Sequence, residues 1–155
     1  MAATTLYTIG YEGATVASFL SALRTAGLEL LVDVRALASS RRPGFAKTAL
    51  GANLASIGID YLHLRGLGTP ADGRAAARAG RHHEMKRIFL EHMTEDVAQD
   101  ELQRLAEIIR GGRKVCLMCF EADPSHCHRS HIVDALAPLL SFAVVHLFAK
   151  DEWEE

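Results

Sequence analysis

Residues 28–34 read LELLVDV and residues 115–120 read VCLMCF, two short runs with almost no polar interruption. Side chains alternate between the faces of a strand. A run that is apolar at both parities therefore belongs to a strand covered on both sides, the condition of a parallel sheet between helical layers. Residues 4–9, 59–64 and 142–148 are further short runs of strand character. Segments of helical period lie between them. Residues 16–26 place Val16, Phe19, Leu20 and Leu23 on one stripe, with Thr15 as the expected N-cap and Gly27 as the stop. Residues 47–57, 82–92, 95–110 (capped by Thr94) and a segment from 124 or 125 to 140 are the other expected helices.

Residues 36–46 hold Ser39, Ser40, Pro43 and Gly44 and read as loop. Residues 65–81 are rich in Gly and Ala without a clear period and are expected to form a mobile connection. The alternation of strands and helices predicts a three-layer α/β/α sandwich with a mainly parallel, doubly wound, Rossmann-like sheet of about five strands. A chain of 155 residues, 49% of them hydrophobic, can bury the core of one α/β domain over residues 1–155.

The last apolar run, 142–149, is interrupted by His146 and is too short to span a bilayer. The first residues lack a basic export signal, and three cysteines make no disulfide framework, so the expectation is cytoplasmic and not membrane-bound. The net charge of -2 is unevenly spread: residues 34–90 carry ten Lys/Arg against three Asp/Glu, a local +7 against -9 elsewhere. Such asymmetry can give one face a potential that attracts anions.

Ligands of open parallel sheets bind beyond the carboxyl ends of the strands. Here the first expected strand leads into Gly10, Tyr11 and Glu12, and the second into Asp33, Arg35, Arg41 and Arg42. The third leads into Arg65-Gly66-Leu67-Gly68, and the fourth into Cys119 and Glu121. Asp33 lies inside an apolar strand, where an unpaired carboxylate is costly. It would orient a partner, or form a local ion pair with Arg35 on the same strand face.

Asp123-Pro124 is a helix-start signal. On the expected helix Arg129 falls on the stripe of Ile132, Val133, Leu136, Leu139 and Leu140, with His128 at its margin, both projecting toward the strand ends. Free amides, a helix dipole and a guanidinium together predict a phosphate or carboxylate site. Cys127 faces away if the helix starts at Pro124, and is in the loop and free to turn inward if it starts after His126.

Four fates compete for Cys119. A nucleophile near Arg129 is one, although the spacing to Arg129 is ten residues, not the Cys-x5-Arg of cysteine phosphatases. A metal site of Cys119, Cys127 and a histidine such as His128 is another, without the tight pair spacing of zinc modules. A redox pair with Cys127 and a small buried strand-end cysteine are the others. Cys116, three residues earlier, points to the opposite face and reads as core, while Glu121 would act as a general base or hold Arg129.

Thr8-Ile9-Gly10-Tyr11-Glu12-Gly13, Leu31-Val32-Asp33-Val34-Arg35, Ser40-Arg41-Arg42-Pro43-Gly44-Phe45, and Cys119-Phe120-Glu121 with Cys127-His128-Arg129 together resemble the family catalogued as domain of unknown function 488. Tyr61 and residues 64–70 also resemble its pattern, and the likeness runs from about residue 6 to residue 136. The resemblance implies a compact α/β fold. It marks Tyr11, Asp33, Arg35, Arg41, Cys119, Glu121, Cys127, His128 and Arg129 as motif positions, and it implies no particular reaction, cofactor or partner.

Two functional expectations follow. One is an enzyme for a phosphorylated or nucleotide-like substrate. In it Gly10, Tyr11, Arg35, Arg41, Arg42, His128 and Arg129 bind, Cys119 or Glu121 does the chemistry, and Asp33 completes the catalytic set by orienting a partner. The other is a non-catalytic module for a nucleotide or nucleic acid, with Phe45 and Tyr61 stacking on bases.

Overall fold

The structure, a computed structural model, describes residues 4–149. In chain order it runs β1 (Thr5–Gly10), α1 (Val16–Thr25), β2 (Leu30–Asp33), α2 (Lys47–Ala55), β3 (Asp60–His63), α3 (Ala71–Arg78), α4 (His82–His92), α5 (Asp96–Arg110), β4 (Val115–Cys119), α6 (Arg129–Leu136) and β5 (Ala143–Phe148). Single 3-10 turns occupy Arg65–Leu67 and Pro124–His126.

All strand pairs are parallel, in the order β3-β2-β4-β1-β5. Both faces of β2 and β4 are buried, which is why those two runs carry no polar alternation. On one face Ile9, Leu31, Cys116 and Met118 pack with Phe19 and Leu23 of α1 and Leu50 and Leu54 of α2. On the other, Leu6, Val32, Val115 and Leu117 pack with Phe89 of α4, the Leu102, Leu105 and Ile109 stripe of α5, and Ile132 and Leu136 of α6. The sheet is thus the middle of three layers.

The chain leaves β1 and β2 toward one face and β3 and β4 toward the other. Because β4 lies between β2 and β1, loops depart to opposite sides at its C-terminal end and a crevice opens there. Two glycines let the loops close on this edge. A Cβ on Gly10 would overlap the carbonyl of Glu121, and one on Gly68 would overlap the backbone of Ala36.

Three expectations change. The segment 65–81 is ordered as a 3-10 turn and α3, whose Ala76 is fully buried. Alanine lets the helix sit close but leaves no strong period to read. Thr94 does not cap α5: Glu95 holds that place, and the Thr94 hydroxyl donates to the Glu91 carbonyl at the end of α4. The long helix expected from residue 124 is broken at Cys127, whose φ of -125° and ψ of 147° are extended, and α6 begins only at Arg129. No helix among the described residues is long and apolar enough to cross a membrane.

Candidate functional site

Strand parity divides the expected site between the two faces of the sheet. Asp33 and Arg35 share a parity with Leu31 and lie on the α1 and α2 side, where both are buried. Arg35 donates from Nε to Asp33 Oδ1 at 2.9 Å and from Nη2 to Oδ2 at 2.7 Å. Its backbone N–H also donates to Oδ1 at 3.0 Å, and the Tyr61 hydroxyl donates to Oδ2 at 2.5 Å. The Arg35 Nη1 bonds the Tyr11 hydroxyl at 3.3 Å and the Phe45 carbonyl at 2.8 Å. Burial alone would lower the pKa of Arg35, but the hydrogen bond and charge of Asp33 outweigh it and raise the net value. Burial, then Asp33, raises that of Tyr61. Asp33 thus forms the ion pair that the sequence offered as one of its two roles.

Tyr11 stacks on Phe45 with ring centroids 4.6 Å apart, and Phe45 is only 2% exposed. Phe45 is therefore spent in the core and does not face a base, and the Tyr61 hydroxyl is committed to Asp33. Arg42 donates to the Tyr11 carbonyl at 2.7 Å and, more closely, to that of Ala14, pinning its loop to the β1–α1 connection. Arg41 is exposed.

The α6 side holds the second cluster. Arg129 is fully buried and extends under the β4–α6 loop. Its Nε donates to Thr8 Oγ1 at 3.1 Å, its Nη1 to Cys119 Sγ at 2.8 Å and closely to the Glu121 carbonyl, and its Nη2 to the Ala122 carbonyl at 3.1 Å. Thr8 in turn bonds His146 Nδ1 at 2.5 Å. Desolvation pulls the guanidinium down to about 10, so it stays charged at neutral pH. The expectation that Arg129 faces a ligand is corrected here, because its donors are consumed inside the protein. The first amides of α6 are consumed too: Arg129 N–H meets Cys127 Sγ at 3.4 Å, and the next three reach the Cys127 and His128 carbonyls. It is the Glu121 carbonyl, not its carboxylate, that holds Arg129.

Cys127, released by the break in the helix, turns inward and is joined by a disulfide to Cys119. Cys119 is thus not a free nucleophile in this state. Cys116 is the free cysteine and is buried on the opposite face, with its thiol pushed up by desolvation. His128 bonds the Val34 carbonyl through Nε2 at 2.7 Å, which ties α6 to the end of β2.

Burial holds His128 down to about 4, against an ordinary 6.5. The folded state therefore disfavours the protonated ring. The corresponding stability is complete above pH 6.5 and is lost as pH falls toward 4. We expect acid titration to remove about 3 kcal/mol across that window. His128→Gln, which can still donate to Val34, should flatten the pH dependence of the urea midpoint between pH 4 and 6.5.

Between these clusters and α3 lies a cleft of ≈ 720 Å³. Its wall includes Tyr11, Arg35, Arg74, Arg78, His82, Cys119, Phe120, Glu121, His126 and His128. Three of these residues, Arg74, Arg78 and His82, were not singled out from the sequence as site residues. Arg74 and Arg78 lie within the segment without periodicity and His82 directly follows it, so no pattern pointed to them. Arg78 is exposed and makes no ion pair among the described residues. Arg74 is held by one bond, Nη1 to the Thr69 carbonyl at 2.9 Å. His82 and His126 stack with ring centroids 4.2 Å apart and planes nearly parallel, and the buried His82 Nδ1 has no hydrogen-bond partner among the described residues. Phe120 is 41% exposed and packs edge-on to Tyr11. Desolvation raises the pKa of Glu121, favouring its protonated form in the cleft wall.

Gly10, Tyr11, Arg35, Cys119, Glu121 and His128 therefore do meet at the strand ends, while Arg41 and Arg42 stand outside the cleft wall. A family described as Domain of unknown function DUF488 matches residues 15–136 of the chain. No curated protein and no solved structure matches it.

Proposed function

This chain belongs to the DUF488 family, and from that premise and the shape of the cleft we propose that it binds a phosphorylated, nucleotide-like small molecule at the C-terminal edge of the sheet. The observation that carries this reading is the pair Arg74 and Arg78, one helical turn apart on α3, lining the cleft without carboxylate partners. Arg35, Arg42 and Arg129 have all been spent on internal contacts and Arg41 stands outside the cleft wall, so the cations of the cleft free to meet a ligand sit on α3. Phe120 offers an exposed ring at the same wall, suited to a base or another flat group. The unpartnered His82 nitrogen supplies a polar contact. The cleft volume is within the range of small-molecule sites. Glu121 is the group placed for proton transfer to or from such a ligand.

Calorimetric titration with inorganic phosphate, adenosine and adenosine monophosphate tests this reading. The monophosphate should bind more tightly than adenosine, and Arg74→Ala/Arg78→Ala should weaken it by about tenfold or more, each charged hydrogen bond contributing roughly 1.5–3 kcal/mol. Failure of every probe to bind at millimolar concentration, or equal binding by the double variant, overturns the reading.

A further inference from the structure

The β4–α6 loop gathers a further set of groups at the wall of that cleft. Cys119 Sγ, Cys127 Sγ and a Glu121 carboxylate oxygen all lie within 4.8 Å of one another. Around them, three features indicate more than a covalent staple.

The first is the Glu121 carboxylate, which has an oxygen close to both sulfurs and makes no ion pair, and no hydrogen bond outside its own residue, among the described residues. The second is His128, which is 8% exposed. A carbonyl only accepts, so the contact with Val34 fixes the proton on Nε2 and leaves a lone pair on Nδ1, 3.6 Å from Cys127 Sγ. A sulfur in a disulfide has no proton to give, so this buried lone pair faces an atom that cannot donate to it. The third is that both sulfurs accept N–H groups, Cys119 from the Arg129 guanidinium at 2.8 Å and Cys127 from the Arg129 backbone at 3.4 Å. Hydrogen bonds of this kind support thiolates that ligate metals. The backbone also keeps the two Cα atoms 7.3 Å apart, wider than the roughly 4.4–6.8 Å of most disulfides.

We propose that the reduced pair, with Glu121, forms a binding site for a thiophilic divalent cation of the zinc class, with His128 Nδ1 as the adjoining nitrogen donor. Sulfur, carboxylate oxygen and imidazole nitrogen are the donors zinc takes. Two thiolates and one carboxylate carry three negative charges, which the divalent ion and the buried Arg129 guanidinium balance. Opening the site consumes two electrons and two protons. A dithiol reductant such as dithiothreitol supplies them and leaves as its own cyclic disulfide, and the entering cation then displaces the two thiol protons and any proton on Glu121. Glu121 is shared with the anion cleft, but anion binding is read through Arg74 and Arg78 and metal binding through the two sulfurs, so failure of one reading is distinguishable from failure of the other.

Cobalt(II) is the direct probe, titrated into the reduced full-length protein without air. A thiolate-to-cobalt charge-transfer band with tetrahedral visible bands is expected at one equivalent, and one equivalent of zinc should bleach both. Glu121→Gln should shift the visible bands and weaken zinc at least tenfold in competition with a chromophoric chelator, and Cys127→Ser should abolish the charge-transfer band. Glu121→Gln keeps the reading available should Cys127→Ser fail to fold. Absence of the charge-transfer band in the reduced wild-type chain overturns the proposal, as does an unchanged spectrum and affinity in Glu121→Gln.

Discussion

Replacing Arg129 with methionine is expected to lower the unfolding free energy by about 3–5 kcal/mol, the range for removing one member of a buried, fully bonded polar set. The volume and much of the apolar stem survive in methionine, so a simple cavity is not the cause. What disappears is every donor to Thr8 Oγ1, Cys119 Sγ and the Glu121 and Ala122 carbonyls. Those acceptors lie beneath the loop, where water cannot readily replace the guanidinium, and each stranded group costs about 1–3 kcal/mol. Arg129→Lys should recover little of the loss, since a single ammonium cannot span acceptors arrayed around a planar fork. Urea unfolding with an unchanged slope and a lowered midpoint is the expected record. A loss below about 1 kcal/mol, the size of an exposed ion pair, would mean that the guanidinium does not hold the loop.

Asp33→Ala is expected to be comparably costly, about 3–5 kcal/mol, because it leaves a buried charge uncompensated. Its carboxylate is fully buried and accepts from the Arg35 backbone, the Arg35 guanidinium and the Tyr61 hydroxyl. Removing it leaves Arg35, 6% exposed, with only Tyr11 and the Phe45 carbonyl. The loop carrying Phe45 should loosen as a result, so hydrogen exchange ought to rise around residues 40–46 before global unfolding. Asp33→Leu/Arg35→Met should be less destabilised than Asp33→Ala alone, because the pair is removed together and no charge is left behind. If the double variant is the worse of the two, the cost lies in packing and not in the unpaired guanidinium.

The two variants act on opposite faces of one sheet, a division that decides how the site is built. Arg35 and Arg129 both follow from strand-end reasoning as ligand cations. Parity within β2 nevertheless sends Arg35 toward α1 and α2, and α6 brings Arg129 down on the other side. Each spends its donors on acceptors of its own face, although Arg35 still borders the cleft. Among the described residues, the cleft-lining arginines without an ion pair belong to α3, in a segment whose alanines and glycines showed no helical stripe.

The runs at 28–34 and 115–120, apolar at both parities, were enough to require a sheet covered on both sides, and the intervening helical periods supplied the two covers. Thr15 as N-cap and the opposed faces of Cys116 and Cys119 were legible for the same reason: they depend on residues close in the chain. The partner of each charge depends on residues far apart. Thr8 lies 121 positions from the arginine it receives, and Val34 lies 94 from the histidine it accepts from. Local pattern determines which side chains a strand or helix delivers to the C-terminal edge. Tertiary packing alone decides whether a guanidinium arriving there meets a protein carbonyl, a sulfur or an open cleft.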